Sequence, residues 1–355
     1  MTMTSVAETD VPVEFRRPPN LIDAAKTAPV TRKNAGMKYR RLGRSGLQVS
    51  EIGLGSWLTL DEGDAEHASL LHRTAYENGI NFFDTANQYG LGSTESVVGE
   101  ALSPFRRETY VLATKAFWPY EEDWPFPGVN DRGLSRKHLF LEIEKSLKKL
   151  RTDHLDLYQC HRFDPETPLE ETCRAMNDLV EQGKTLHWGV SEWNAAQIDE
   201  AVSICEEAGW YRPISNQPIY NMIDRHWENE VFPATRRGGL GNVCFSPLAE
   251  GLLTGKYSNG TPEDARAAHQ TKGQFIRRRF NDANLERVRR LGEIAADLSV
   301  PLSNLALRWC LRREEVSSCI IGASRPEQIL ENVAGPDLSW DEAIEERVEA
   351  TLGGA

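Results

Sequence analysis

Four polar side chains close three successive strand-like runs: Asp84 and Tyr89 in "INFFDTANQYG", Lys115 at the end of "TYVLATKA", and His161 at the end of "LDLYQCHR". A tyrosine has an ordinary pKa near ~10 and is a weak acid at neutral pH. A neighbouring ammonium favours the phenolate, so Lys115 is expected to lower the pKa of Tyr89. An aspartate can hold the lysine in place, and a histidine can orient a carbonyl. These are the parts needed to protonate an oxygen while hydride arrives at the adjacent carbon.

Side chains from separate runs meet only if a regular scaffold carries them to one place. Apolar strand candidates are 52–55, 81–85, 110–115, 155–161, 186–191, 214–218, 242–248 and 316–322, with helical stretches near 66–79, 94–103, 136–150, 168–182, 195–209, 226–237, 284–312 and 325–333. Near-continuous apolar strands alternating with helices indicate an α/β protein with a parallel sheet. Eight units favour a closed (β/α)8 TIM barrel. An open doubly wound sheet is the alternative, but it usually carries G-x-G-x-x-G after its first strand, and "GLGSWL" does not supply it. Ahead of the units, "KYRRLGRSGLQVS" suggests a short β-hairpin about Gly43 and Gly46. Residues 1–36 lack periodicity and read as a flexible extension or surface strap, leaving 37–355 as one domain. A partner-binding role for that extension is the other reading.

The chain has 355 residues, 40% of them hydrophobic and 26% charged, which suits a soluble protein with a sizeable core. A net charge of −12 argues against nucleic acid or an anionic membrane as partner. Six cysteines form no C-x-x-C pair, as expected of buried thiols in a reducing compartment. No run reaches the ~18 apolar residues of a membrane span, and the N-terminus has no apolar signal core. A cytoplasmic location is expected. No metal site is expected: His67 and His72 lack an H-E-x-x-H arrangement, and "CHR" at 160–162 has no further ligands at zinc spacing.

The stretch from Ala249 to Asn284, after the seventh strand candidate, breaks the rhythm and is rich in Lys and Arg in its second half. Such a loop either closes over a phosphorylated ligand or is a solvated excursion. "SRPE" at 324–327 reads as a capping box with Ser324 as N-cap, at a helix terminus that also suits a phosphate. Trp57, Trp118, Tyr120, Trp124 and Trp193 cluster in loops. Trp57 and Trp118, close after the first and third strands, are the substrate-pocket candidates, and Trp193 is expected to pack under a loop.

The order Asp84, Tyr89, Lys115, His161, with "GINFFDTANQYG", "GVSEW", "SPLAEGLLTGKY" and "IIGASRPEQILEN", resembles the aldo-keto reductase family from about Met37 to Val333. "HRFDPETPLEET" and "GASRPEQILENV" look like the branch of the voltage-gated potassium channel beta subunits and bacterial glyceraldehyde-phosphate reductases. The resemblance implies a (β/α)8 barrel that binds NADPH without a Rossmann motif. It implies an NADP-dependent oxidoreductase acting on CH–OH or carbonyl groups, with a small carbonyl substrate and a possible homo-oligomer. Tyr89 would be the general acid, Lys115 would tune it, Asp84 would pair with Lys115, and His161 would bind the carbonyl oxygen. The channel subunits carry Asn in place of that His, so His161 favours an enzyme over the alternative, an NADPH-binding regulatory subunit.

The resemblance also implies cofactor contacts. Ser56 and Trp57 follow the first barrel strand. Ser191 and Gln217 would bind the nicotinamide carboxamide, and Phe245 would stack on the ring. Ser246, Pro247, Leu248, Glu250 and Leu252 would follow the diphosphate. Lys256, Arg266, Ser324, Arg325 and Gln328 would hold the 2′-phosphate end, Glu331 and Asn332 the adenine, and Gly322 would also line the cofactor site. Glu192 departs from the family's usual Asn.

Overall fold

The computed structural model describes residues 36–57, 65–119, 128–257 and 279–353. A two-stranded antiparallel hairpin, β1 (Tyr39–Arg41) and β2 (Gln48–Ser50), leads into eight parallel strands. These are β3 (Ile52–Gly55), β4 (Phe82–Asp84), β5 (Val111–Ala116), β6 (Leu155–Cys160), β7 (Thr185–Ser191), β8 (Ser215–Gln217), β9 (Gly241–Phe245) and β10 (Val316–Ile321). They close in sequence order, with Cys319 of β10 opposite Ile52 of β3. The protein is therefore a (β/α)8 barrel with an N-terminal hairpin.

Helices α1 (Ala65–Glu77), α2 (Thr94–Leu102), α3 (Arg136–Lys149), α4 (Leu169–Glu181), α5 (Ala195–Ala208) and α6 (Val231–Gly238) follow the first six turns of the barrel. The later helices are α7 (Asp282–Asp297), α8 (Leu302–Leu311), α9 (Pro326–Val333) and α10 (Glu342–Leu352). The expected helix over 284–312 is two helices. Pro301, at φ −59 and ψ 147, leaves the helical region and caps α8, and residues before a proline resist helix. The helix expected from 226 begins only at Val231. The strand expected through Leu248 stops at Phe245, because Ser246 turns to φ 49. No described helix is long and apolar enough to cross a membrane.

The hairpin packs against the end of the barrel where the strands begin. Leu42, Val49 and Leu47 join Phe82, Val111, Leu157 and Val243 in one apolar cluster. Gly43, at φ +59, sits so close to the backbone of Gly239–Gly241 that a side chain would overlap it. Arg40 pins the hairpin by donating to Glu51 at 2.6 Å and to the carbonyls of Leu311 and Val316 at 2.7 and 2.8 Å. With that end covered, the polar residues gather at the opposite, C-terminal end, where barrel sites are built.

Candidate active site

Asp84 ends β4, Lys115 lies near the end of β5, and His161 follows β6. Tyr89 opens a 3₁₀ turn five residues after Asp84. The chain between them runs along β5: Thr85 N–H donates to Ala113 O, and Asn87 N–H to Lys115 O at 3.1 Å. This carries Tyr89 back over the lysine. Asn87 Nδ2 holds the turn by donating to Glu142 Oε2 at 2.8 Å and to Trp118 O at 3.1 Å.

Lys115 is wholly buried, and its ammonium makes three contacts. It donates to Asp84 Oδ2 at 2.6 Å, to Thr85 O at 2.7 Å and to Tyr89 Oη at 3.3 Å. The other Asp84 oxygen, Oδ1, accepts from Gln217 at 2.9 Å and from Gln159 at 3.2 Å. A buried ion pair repays its desolvation only when the remaining lone pairs and protons are met, as they are here. His161 meets the Tyr89 ring edge-on at 5.8 Å, and the Trp57 ring lies 6.5 Å from the Tyr89 ring, tilted.

The field in the site differs from the expectation in one respect. Burial pushes the Tyr89 phenol upward. Lys115 and Arg162 pull it down and Asp84 pushes it up, with a net result above the ordinary value. The lysine therefore limits the rise rather than producing a low pKa. Burial pulls the Lys115 ammonium down, but Asp84 and Tyr89 more than offset this, so it stays charged. Burial, reinforced by Lys115 and Arg162, drives His161 well below its usual value, so the imidazole is neutral at pH 7. Its Nδ1 is buried without a hydrogen-bond partner among the described residues.

The residues assigned to the nicotinamide end adjoin these four. Ser56 N–H and Oγ donate to Asp84 O at 3.0 and 3.2 Å. Ser191 Oγ donates to Gln217 O at 2.9 Å, while Gln217 reaches Asp84. Glu192, at φ 58, accepts from Ile219 N–H at 2.6 Å and so braces the loop after β8. Phe245 ends β9 opposite Ile320 of β10, so the loops carrying 246–256 and 322–332 leave adjacent strands.

The loop after β9 is tightly turned, and three of its amides bond within it: Ala249 to Ser246 O, and Gly251 and Leu253 to Leu248 O. Ser246, Ala249 and Glu250 are left-handed without being glycine, at φ 49, 48 and 58, a backbone strain of the kind that clusters at ligand-binding sites. Lys256 folds over Gly251, where a Cβ would come within 3.2 Å of its Nζ. Pro247 is buried and Leu248 half-buried. Leu252 is fully buried, backbone included.

Gly322, Ser324 and Arg325 are exposed just before α9. The capping box is not formed. Arg325 occupies the N-cap position, and Gln328 rather than Glu327 reaches back, its Oε1 accepting from Ser324 N–H at 2.8 Å. Glu331 accepts from Ser303 Oγ at 2.5 Å, and Asn332 is buried. Trp118 packs edge-on against Phe117 and beneath Arg132, while Trp193 is buried against Phe163. Arg266, Tyr120 and Trp124 lie outside the described residues.

Three contributors escape a reading of the sequence. Gln159 sits inside an apolar strand, and its only signal is a polar amide amid buried neighbours. Asn87 acts through Glu142, far away in the chain. Arg279 bridges Asp224 at 2.6 Å and Glu250 at 3.2 Å, and so ties the loop after β8 to the loop after β9.

The aldo/keto reductase family model matches residues 51–344. The chain belongs to the aldo/keto reductase family. It is 42% identical over 307 residues to a probable voltage-gated potassium channel subunit beta of Oryza sativa subsp. japonica, covering 85% of this chain and 92% of that protein. A probable subunit of the same description from Arabidopsis thaliana is 41% identical over the same shares. A putative one from Schizosaccharomyces pombe is 41% identical over 83% of this chain and 87% of its own length.

Proposed function

We propose that this aldo/keto reductase is a working NADPH-dependent carbonyl reductase with Tyr89 as its general acid. The observation that carries this reading is the buried Lys115 ammonium held between Asp84 at 2.6 Å and Tyr89 at 3.3 Å. When bound, NADPH supplies hydride to the carbonyl carbon. Tyr89 passes its phenolic proton to the carbonyl oxygen as charge builds there, and Lys115 stabilises the phenolate left behind. Neutral His161 has one N–H to donate to the same oxygen. Asp84, fixed by Gln159 and Gln217, keeps the lysine aimed. With its pKa held above the ordinary value, the Tyr89 phenol is in its acid form near neutrality and so carries the proton that reduction needs.

Ser191 and Gln217 would hold the carboxamide and Phe245 the nicotinamide face, with the left-handed turn from Ser246 along the diphosphate. Lys256, Arg325 and the start of α9 would meet the 2′-phosphate. Arg325 is exposed and forms no ion pair with a described residue, so its charge is available. Charge-assisted bonds contribute roughly 1.5–3 kcal/mol each, so Arg325→Ala should weaken NADPH about tenfold or more and NADH little. Dissociation constants for both nucleotides in both proteins test this. Equal affinities in the wild type would move the assignment to NAD(H).

The names of the relatives favour a second reading, a nucleotide-binding subunit that regulates a partner. His161→Asn separates the two. An oxyanion-stabilising donor is typically worth about 10²–10³-fold in kcat. Asn retains one donor, so a loss at or below the lower end of that range is expected, with NADPH affinity kept. An unchanged kcat would remove His161 from the substrate site.

A further inference from the structure

At the N-terminal end of the barrel, away from the candidate active site, lies a cavity of about 390 Å³. The turn of the hairpin, the first residues of β7 and the segment between α5 and β8 enclose it. Strands β7 and β8 carry Ser191 and Gln217 at their other ends, and the cavity shares no residue with that site.

The run "WYRP" over 210–213 forms one wall, and its backbone is held from three sides. Trp210 N–H donates to Cys205 O at 2.8 Å, and Tyr211 N–H donates to Asn177 Oδ1 at 3.0 Å. The indole N–H of the buried Trp188, which backs the cavity, donates to Tyr211 O at 2.7 Å. The Trp210 and Tyr211 rings therefore stand on a fixed edge, and neither meets another ring or a cation of a described residue. Leu186 and Tyr211, both lining the cavity, are 45% and 57% exposed, although burial is the rule for large apolar side chains.

The charges in the wall do not cancel. Arg212 donates to Glu206 Oε1 at 2.6 Å, so these two neutralise each other. Burial lowers the His187 imidazole, which is neutral at pH 7. Arg44 is exposed and forms no ion pair with a described residue. Its N–H donates to Gly239 O at 2.9 Å, and its side chain lies across Gly239, where a Cβ would come within 2.8 Å of Cδ. One uncompensated guanidinium thus stands with two unused aromatic rings in a cavity of small-ligand size. A single positive charge matches a monoanion, and the guanidinium fork matches a carboxylate.

We propose that this cavity binds a small aromatic carboxylate, its ring against Trp210 and Tyr211 and its carboxylate on Arg44. The proposal does not depend on the reductase reading.

Titration with 2-naphthoate tests it, followed by NMR of the tryptophan indole N–H groups in isotope-labelled protein. The wild type should bind with a Kd of about 1 mM or tighter. The Trp210 signal, assigned by its loss in Trp210→Phe, should move, and that of Trp57 in the candidate active site should not. Arg44→Met should weaken 2-naphthoate at least about tenfold and leave the neutral 2-naphthamide unchanged. Arg44→Lys should keep part of the affinity, since it retains the charge but not the fork. Tyr211→Ala should weaken acid and amide alike, by about two- to tenfold. NADPH affinity should be the same in all these variants. A stationary Trp210 signal, movement confined to Trp57, or an affinity untouched in Arg44→Met overturns the proposal. So does self-association of the wild type that Tyr211→Ala abolishes, because another copy of the chain would then cover this face.

Discussion

Tyr89→Phe should abolish nearly all carbonyl reduction while leaving NADPH binding within a few-fold of wild type. General acid catalysis contributes about 10²–10⁴-fold, and Phe keeps the ring that neighbours His161 and Trp57 while removing only the proton donor. The wild-type pH profile carries a linked signature. Burial raises the Tyr89 phenol, so its acid form persists below that raised pKa and is lost only as pH climbs through it. Reduction should therefore hold its rate across neutral pH and fall only above the ordinary tyrosine range near ~10. A Phe variant with near wild-type kcat, or a wild-type rate falling by pH ~8, would remove Tyr89 from the acid's role.

Lys115→Met should be as damaging to kcat and should also destabilise the fold. The ammonium is the charge that most opposes the upward push of burial on Tyr89, so its loss sends the phenol higher still. It also strands Asp84, 5% exposed, with only two amide donors. Breaking a buried pair from one side typically costs about 3–5 kcal/mol, whereas replacing both partners is often neutral. The double variant Lys115→Met/Asp84→Leu should thus recover much of the stability lost by the single variant and none of the activity. Denaturant midpoints and single-turnover rates read the two effects apart. A stable, active Lys115→Met protein would show that the lysine neither holds Asp84 nor acts on Tyr89.

The barrel was legible because parallel strands buried on both faces read as continuous apolar runs, and eight of them recur at helix-length spacing. The four polar residues were legible for the same reason: each interrupts or ends such a run. What escaped depends on neighbours distant in the chain. Gln159 gains its meaning only from Asp84, 75 residues away. The Tyr89 phenol moves upward because packing excludes water around it, and no local pattern reports burial. At α9 two side chains compete for one amide, and Gln328 takes Ser324 N–H where the spacing pointed to Glu327. The split at Pro301 was readable from proline's effect on the residue before it. The final helix, α10, is fixed largely by distant partners: Arg312 meets Glu345 and Arg225 meets Glu349.

The most direct test of the central claim is the steady-state oxidation of NADPH by the wild-type protein with a panel of reactive aldehydes. The account predicts saturable turnover that disappears in Tyr89→Phe. Tight NADPH binding with no turnover of any carbonyl would contradict it and leave the chain a nucleotide-binding subunit.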